Sequence, residues 1–240
     1  MKTVAIYLFT LFTFLWLLAA PAYGDKAMEY FNLGVKSSVT HKKIEYFTKA
    51  LELNPGLVDA YEKRGLLYYF QEKYGKAIQD YQTYLDLAPD NAEACRMLGV
   101  GYLKSEIYQP AIYNFTRAIE MESEFTAAYA NRAEAYRLIG RDDEAIRDAT
   151  KAIELRDDLR SKADAYRTRA RIYRKLGRMQ LAVEDTRAAA KVDPRIPRFW
   201  RYYLNYASPE ELRNVAPFFV IAIAFVLIFG LRLRPPNKDD

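Results

Sequence analysis

The chain has 240 residues, of which 51% are hydrophobic and 15% aromatic, and its formal net charge is +5 at pH 7. Its one cysteine, Cys95, excludes an internal disulfide and a thiolate metal cage, and its one histidine, His41, excludes a histidine-rich metal site. The sequence also lacks a visible constellation of paired carboxylates, so we expect no catalytic residue, no bound metal and no cofactor.

The first predicted element is an apolar run over residues 4–20, which follows the charged Lys2. Small residues and then Asp25 come after this run, a pattern that is typical of a secretory signal peptide over residues 1–24. An uncleaved anchor is the alternative, because the run is long enough to cross a bilayer. Both interpretations predict that the middle of the chain is exported.

The middle of the chain repeats itself when it is offset by 34 residues. Two columns of small residues recur, namely Gly65, Gly99 and Ala133 in one, and Ala77, Ala111 and Ala145 in the other. Within each copy the recurring columns fall at i, i+4 and i+7 of two successive segments, which is the spacing of one helix face. The sequence therefore predicts a helix–turn–helix unit that is repeated along the chain.

These residues resemble the tetratricopeptide repeat (TPR) family, whose unit is a 34-residue helical hairpin. The stretches 60–89 and 128–155 carry the likeness, and the resemblance implies an all-α fold of the α-solenoid type. We expect five units within residues 25–196, at about 27–57, 58–91, 92–125, 126–159 and 163–196. In the first unit the helices lie about three residues closer together, so either its turn is tighter or its first helix is truncated.

The resemblance further implies a concave groove that is lined by the first helix of each unit and holds a peptide or a partner helix. The groove positions change from apolar and aromatic in the early units to basic in the last unit, and the basic end favours an acidic partner. Internal packing is the alternative for the aromatic residues, and a solvated face is the alternative for the arginines. The candidate partner-binding residues are Leu66, Tyr69, Phe70, Arg96, Val100, Leu103, Asn131, Arg137, Arg167, Arg171, Arg174 and Lys175.

The segment 197–206 is aromatic and basic, and we interpret it as a capping segment that faces a membrane interface. A second uncharged apolar run follows, and it predicts a helix over 208–234 whose residues 215–231 span a membrane, with a short tail at 235–240. A buried core helix is the alternative for this run. The membrane-interface candidates are Phe199, Trp200, Arg201, Tyr203, Tyr206, Arg232 and Arg234.

Together these elements predict a non-enzymatic scaffold or adaptor that recruits protein or peptide partners, with no nucleic acid as a partner. We expect a single-pass membrane protein whose TPR domain is extracytoplasmic, periplasmic in a Gram-negative cell, and whose short C-terminal tail is cytoplasmic. The alternative function is that of an accessory structural subunit, which docks into a larger membrane complex through its C-terminal helix.

Overall fold

The computed structural model describes residues 24–155 and 158–196. All regular structure in these residues is α-helical, which confirms the predicted all-α fold of TPR-like helical repeats. The helices are α1 (24–36), α2 (Thr40–Leu53), α3 (Val58–Phe70), α4 (Tyr74–Leu87), α5 (Ala92–Lys104), α6 (Tyr108–Met121), α7 (Thr126–Leu138), α8 (Asp142–Glu154), α9 (Leu159–Lys175) and α10 (Met179–Val192).

Successive helices form hairpins that stack on one another. Helices α3 and α4, α5 and α6, α7 and α8, and α9 and α10 pack as pairs, and α9 also packs against both α7 and α8. Short links between packed helices make the members of each pair antiparallel. The first helices of successive hairpins therefore lie side by side, and the residues along them can form one continuous surface.

The turns inside these hairpins depend on one residue in the left-handed region. Gly140 and Gly177 adopt φ values of 78° and 74°, which glycine tolerates because it has no Cβ. Glu72 and Glu106 occupy the same place in their turns, with φ values of 59° and 61°. A non-glycine residue in this conformation costs about 1–2 kcal/mol, so packing of the hairpin holds the two glutamates there.

The first hairpin differs from the others in the length of its first helix. The link between α1 and α2, residues 37–39, has the same length as the link 71–73 between α3 and α4. Helix α1 ends soon after Gly34, whereas α3 continues for a further turn after Gly65. The shorter sequence separation in this unit is therefore due to a truncated first helix.

Small residues on the first helix of a hairpin face large residues on the second. A Cβ added to Gly99 would lie 2.6 Å from Cε1 of Phe115, and a Cβ added to Gly65 would lie 3.1 Å from Cε2 of Tyr81. In α7 and α8 the same two columns hold alanine on both sides. Two alanines fill less space than a glycine and an aromatic ring, so this contact is packed differently in α7–α8 than in α3–α4 and α5–α6.

The predicted localisation as a single-pass membrane protein is corrected by the structure. Within the described ranges, no helix is both long enough and apolar enough to cross a bilayer. Helices α2 to α10 have between 13 and 17 residues, and each carries charged side chains, whereas a span needs about 20 apolar residues. The segments for which a signal peptide, cap, span and tail were predicted lie outside the described residues, apart from Gly24: residues 1–23, 197–206, 208–234 and 235–240.

Candidate functional site

A cavity of about 650 Å³ opens between the first helices of four hairpins, α3, α5, α7 and α9. We call it the central cavity. Its lining residues come from these helices, from α4 and from the residues that precede α5, α7 and α9. They are Glu62, Leu66, Tyr69, Phe70, Tyr81, Tyr84, Asn91, Glu93, Ala94, Arg96, Met97, Val100, Phe125, Ala127, Asn131, Asp158, Arg160, Ser161 and Asp164.

The cavity has a buried apolar floor and an exposed aromatic edge. Met97 and Val100 are buried on α5, whereas Phe70 at the end of α3 remains 71% exposed. The ring of Phe70 meets that of Tyr69 edge to face at a centroid distance of 5.7 Å, and Tyr69 in turn contacts Tyr74 at 5.8 Å. The exposed ring is thus supported from one side and open to a partner on the other.

Charged residues form an ordered rim around this apolar surface. Arg96 donates to Glu93 at 2.7 Å, and its guanidinium lies 5.9 Å from the ring centroid of Phe125. Asp158 caps α9 by accepting from the backbone N–H groups of Arg160 and Ser161 at 2.9 and 3.1 Å. Burial alone would raise the pKa of Asp158, but these bonds and the Ser161 hydroxyl hold the pKa below its ordinary value, so the cap stays ionised.

The structure brings together some of the residues that were predicted to bind a partner. Those that line the central cavity are Leu66, Tyr69, Phe70, Arg96, Val100 and Asn131. Leu103 does not line it, and packs instead against the cluster that contains Val100 and Phe115. Of the cations that were predicted to bind a partner, only Arg96 lines this cavity. The predicted basic residues of α9 therefore do not continue the apolar surface of the cavity.

Carboxylates of the same helix or of a neighbouring helix pair with three of the remaining cations. Arg137 makes two bonds to Glu134, at 2.8 and 2.7 Å, and Arg171 lies 3.6 Å from the same carboxylate. Lys175 reaches Asp142 at 2.7 Å. Burial opposes ionisation of Glu134, yet the bonds from Arg137 keep its pKa below the ordinary value. Arg137 is thus engaged within α7, whereas Arg171 and Lys175 keep more than half of their side chains exposed and form only surface pairs.

Arg167 and Arg174 complete the predicted basic run and differ in their surroundings. Arg167 bonds to Asp164 at 2.8 Å and also pairs with the buried Asp193 at the end of α10. Arg174 is exposed near the end of α9. Arg167 is thus paired within the protein. The three arginines at i, i+4 and i+7 are therefore not equally available to a ligand.

Several cavity residues were missed by the sequence analysis because they precede the helices rather than lie on them. Phe125 and Asn91 occupy the N-caps of α7 and α5, and Asp158 occupies that of α9. The signal was present in the repeat, since Leu57, Asn91 and Phe125 share one column at the 34-residue offset. Their residue types differ too much for the column to stand out.

Within the described part of the chain, no group of three or more His, Cys, Asp or Glu side chains is placed to hold a metal ion. Burial raises the pKa of the Cys95 thiol, so this side chain stays protonated in the core. The predicted membrane-interface residues lie outside the described residues; they are Phe199, Trp200, Arg201, Tyr203, Tyr206, Arg232 and Arg234.

Family models of the tetratricopeptide repeat match three segments of the chain, residues 58–91, 126–159 and 163–196. These matches confirm that the chain contains TPR repeats. No curated protein sequence matches the chain.

Solved structures of TPR proteins share the fold. A crystal structure of MamA superposes with a TM-score of 0.58 at 25% identity, covering 64% of this chain and 88% of MamA. MamA (41-end) from Desulfovibrio magneticus RS-1 gives a TM-score of 0.63 at 17% identity, covering 70% and 95%. YrrB, described as a TPR protein with an unusual peptide-binding site, gives 0.57 at 24% identity, covering 78% and 99%.

Proposed function

We propose that this chain is a protein-interaction module whose central cavity binds a peptide or helix of a partner protein. The observation that carries the proposal is the exposed ring of Phe70 beside the apolar floor of Met97 and Val100. A cavity of about 650 Å³ is large enough for one or two large side chains. Burial of such a side chain is worth about 1.5–3 kcal/mol, which is sufficient to anchor a peptide.

The shared fold supports a binding role rather than an enzymatic one. TPR-repeat proteins are in general interaction modules, and YrrB, which has the same fold, is described as having a peptide-binding site. The pairing of Arg96 with Glu93 also suits a binding surface, because it orders a polar rim beside the apolar lining of the cavity.

The apolar part of the lining indicates which peptides fit the cavity best. Its carboxylates are already engaged within the protein, because Glu93 pairs with Arg96, Asp164 pairs with Arg167 and Arg195, and Asp158 caps α9. A peptide with an apolar or aromatic anchor therefore complements the cavity. The acidic partner that the basic run predicts remains a proposal for the exposed edge of α9, where Arg171 and Arg174 lie.

A peptide-display selection tests this function. The full chain is used to select peptides from a random library, and a selected peptide is then titrated by fluorescence anisotropy. Phe70→Arg places a charge in the cavity, whereas Tyr113→Arg changes a similarly exposed aromatic residue on α6, which is 64% exposed and outside the cavity. We expect Phe70→Arg to weaken binding roughly tenfold, or about 1.4 kcal/mol, and Tyr113→Arg to leave it unchanged.

Two results would contradict the proposal. The selected peptides could lack apolar or aromatic anchors, or they could bind Phe70→Arg as tightly as the parent chain. Circular dichroism of both variants shows whether each remains folded, because the two substitutions affect exposed positions and should leave the helical content intact.

A further inference from the structure

A second cavity is lined by the second helices of two neighbouring hairpins. It has a volume of about 540 Å³ and shares no lining residue with the central cavity. We call it the outer cavity. Its lining comes from α4, from the last part of α5 and from α6, and its polar members are Gln82, Tyr102, Gln109, Tyr113, Asn114 and Arg117.

Three other hairpins hold an ion pair at positions equivalent to part of this lining. An arginine of the first helix bonds to an aspartate of the second, the pairs being Arg64 with Asp80, Arg132 with Asp148 and Arg169 with Asp185. Each guanidinium also lies 5.9 Å from the centroid of a tyrosine ring, which belongs to Tyr68, Tyr136 or Tyr173. The α5–α6 hairpin keeps the tyrosine, Tyr102, but has Asn114 in place of the aspartate and Leu98 in place of the arginine. A carboxylate is therefore missing beside Tyr102.

A different arginine lines the outer cavity. Arg117 on α6 is half-buried, and it forms no ion pair with a carboxylate of the described ranges. The other half-buried arginines of these ranges all pair with a carboxylate; they are Arg64, Arg96, Arg132, Arg137, Arg167 and Arg169. Partial burial of a guanidinium without a counter-charge is unfavourable, so Arg117 has the most to gain from a charged ligand.

The remaining polar groups of the outer cavity do not neutralise Arg117. The amide nitrogen of Asn114 donates to the carbonyl of Pro110 at 2.8 Å, and that of Gln82 donates to Asp86 at 3.1 Å. Asp86 does not line the cavity, and the lining contains no carboxylate. Because its one charged side chain is Arg117, the outer cavity favours a negatively charged ligand.

We propose that the outer cavity binds an Asp or Glu side chain of a partner protein, whose carboxylate pairs with Arg117 beside Tyr102. A carboxylate and a guanidinium match in a planar geometry with two parallel hydrogen bonds. The largely exposed ring of Tyr113 offers apolar surface to the methylene groups of the same side chain. This site goes beyond the proposed function of the central cavity, because it serves a second partner segment through different residues.

A subtractive peptide selection tests this proposal. A random library is first depleted on the full chain carrying Arg117→Met, which removes the guanidinium but keeps the length of the side chain, and is then selected on the parent chain. Depletion removes peptides that bind to the central cavity or to the exposed edge of α9. We expect the recovered peptides to share an Asp or a Glu.

Fluorescence anisotropy of a recovered peptide then identifies the carboxylate. Replacing its acidic residue by Asn or Gln should weaken binding to the parent chain by about tenfold or more, because a charge-assisted pair is lost. The same replacement should have no further effect on the weak binding to Arg117→Met, since the partner of the carboxylate is already missing. Arg174→Met is the matched control, because it removes an exposed arginine that lines neither cavity, and it should leave the affinity unchanged.

Several results would overturn the proposal. The subtractive selection could yield no peptide, or peptides without a shared acidic residue, or peptides that tolerate the loss of their carboxylate. Sedimentation equilibrium could also show that the parent chain self-associates and that Arg117→Met does not, which would assign the outer cavity to a second copy of the chain. Circular dichroism shows that Arg117→Met is folded.

The two sites can be tested separately. Phe70→Arg should leave the binding of an acidic peptide from the subtractive selection unchanged, and Arg117→Met should leave the binding of a peptide with an apolar anchor unchanged. If Arg117 proves dispensable, the proposed function of the central cavity still stands. If no peptide depends on Phe70, the central cavity loses its proposed function and the outer cavity keeps its own.

Discussion

The α7–α8 hairpin and the α5–α6 hairpin have the same backbone arrangement but different cores. In the first, Arg132 makes two bonds to Asp148 on α8, at 2.7 and 2.9 Å, and a third to Thr116 on the preceding α6 at 2.9 Å. The guanidinium also lies 5.6 Å from the ring centroid of Tyr129 and 5.9 Å from that of Tyr136. Two other hairpins repeat the pattern, with Arg64, Asp80 and Thr48 and with Arg169, Asp185 and Thr150.

The α5–α6 hairpin has no ion pair at the equivalent positions. Leu98 replaces the arginine and is 1% exposed, and Asn114 replaces the aspartate. The side-chain amide of Asn114 donates to the carbonyl of Pro110 within its own helix at 2.8 Å.

Because this asparagine lies buried in the middle of α6, it is also a poor acceptor for the glycosylation that the triplet Asn114-Phe115-Thr116 formally permits.

The same helical hairpin can therefore be built around either an ion pair or apolar side chains. Only the ionic core also bonds to the preceding hairpin. The arginine connects three helices, since Thr116 belongs to the hairpin before its own. Burial alone would lower the pKa of Arg132, but the bonds to Asp148 hold it above the ordinary value, so the charge persists. Leu98 contributes packing and needs no partner.

The largest effect is expected from removing one member of an ionic core. Arg132→Ala leaves Asp148 buried without its cation, so the free energy of unfolding should fall by about 3–5 kcal/mol. Urea unfolding followed by circular dichroism measures this loss. A loss below about 1 kcal/mol would mean that the ion pair does not hold the hairpin.

The double substitution Arg132→Leu with Asp148→Asn tests whether the two kinds of core are interchangeable. It places in α7–α8 the leucine and asparagine that α5–α6 has at the equivalent positions. We expect it to be considerably more stable than Arg132→Ala, since no unpaired charge remains. If the two variants are equally unstable, the two kinds of core are not interchangeable, and the sequence of each hairpin is adapted to its neighbours.

A smaller effect is expected at the contact between small and large residues. Gly99→Ala would place a Cβ 2.6 Å from the ring of Phe115, and this overpacking should cost about 1–3 kcal/mol. Gly65→Ala is the matched control, because its Cβ would lie 3.1 Å from the ring of Tyr81 and needs a smaller adjustment. Thermal unfolding should rank Gly99→Ala as the less stable variant, and the reverse order would contradict this account of the contact.

The smallest effect is expected for the pH dependence of stability that is due to Asp193, which pairs with Arg195 and Arg167 at the end of α10. Burial alone would raise the pKa of Asp193, but bonds from Arg195 and Arg167 hold it well below its ordinary value. Its contribution to stability is therefore present above the pKa of an unfolded aspartate, near 3.9, and decreases as pH falls through the lower pKa of the folded state.

The difference in unfolding free energy between the parent chain and Asp193→Asn isolates this contribution, because the other carboxylates are common to both. We expect the difference to be constant from pH 7 to about pH 5 and to shrink below about pH 4. A difference that stays constant down to pH 2 would show that Asp193 is not stabilised by its arginines.

Repeat columns explain why much of the fold could be predicted. The small residues at positions such as Gly65 and Gly99 recur at a fixed offset, and helix periodicity places them on one face. Leu66 and Val100 could be assigned to a groove because the resemblance to the TPR family implies which positions of each unit line it. Phe125 and Asp158 could not, since they lie in links whose positions depend on how the hairpins stack.

By itself the sequence determined the helical hairpin and its repetition, because each hairpin is specified by local periodicity and by small residues at the helix contact. Tertiary structure decided which charged residues remain available to a ligand. Arg167 is paired with Asp193, which is 26 residues further along the chain, and Lys175 with Asp142, which is 33 residues before it. The first pair forms when α9 and α10 close into a hairpin, and the second forms only when this hairpin stacks on α7–α8. Local periodicity shows neither contact, which is why the basic run could be predicted from the sequence and its partners could not.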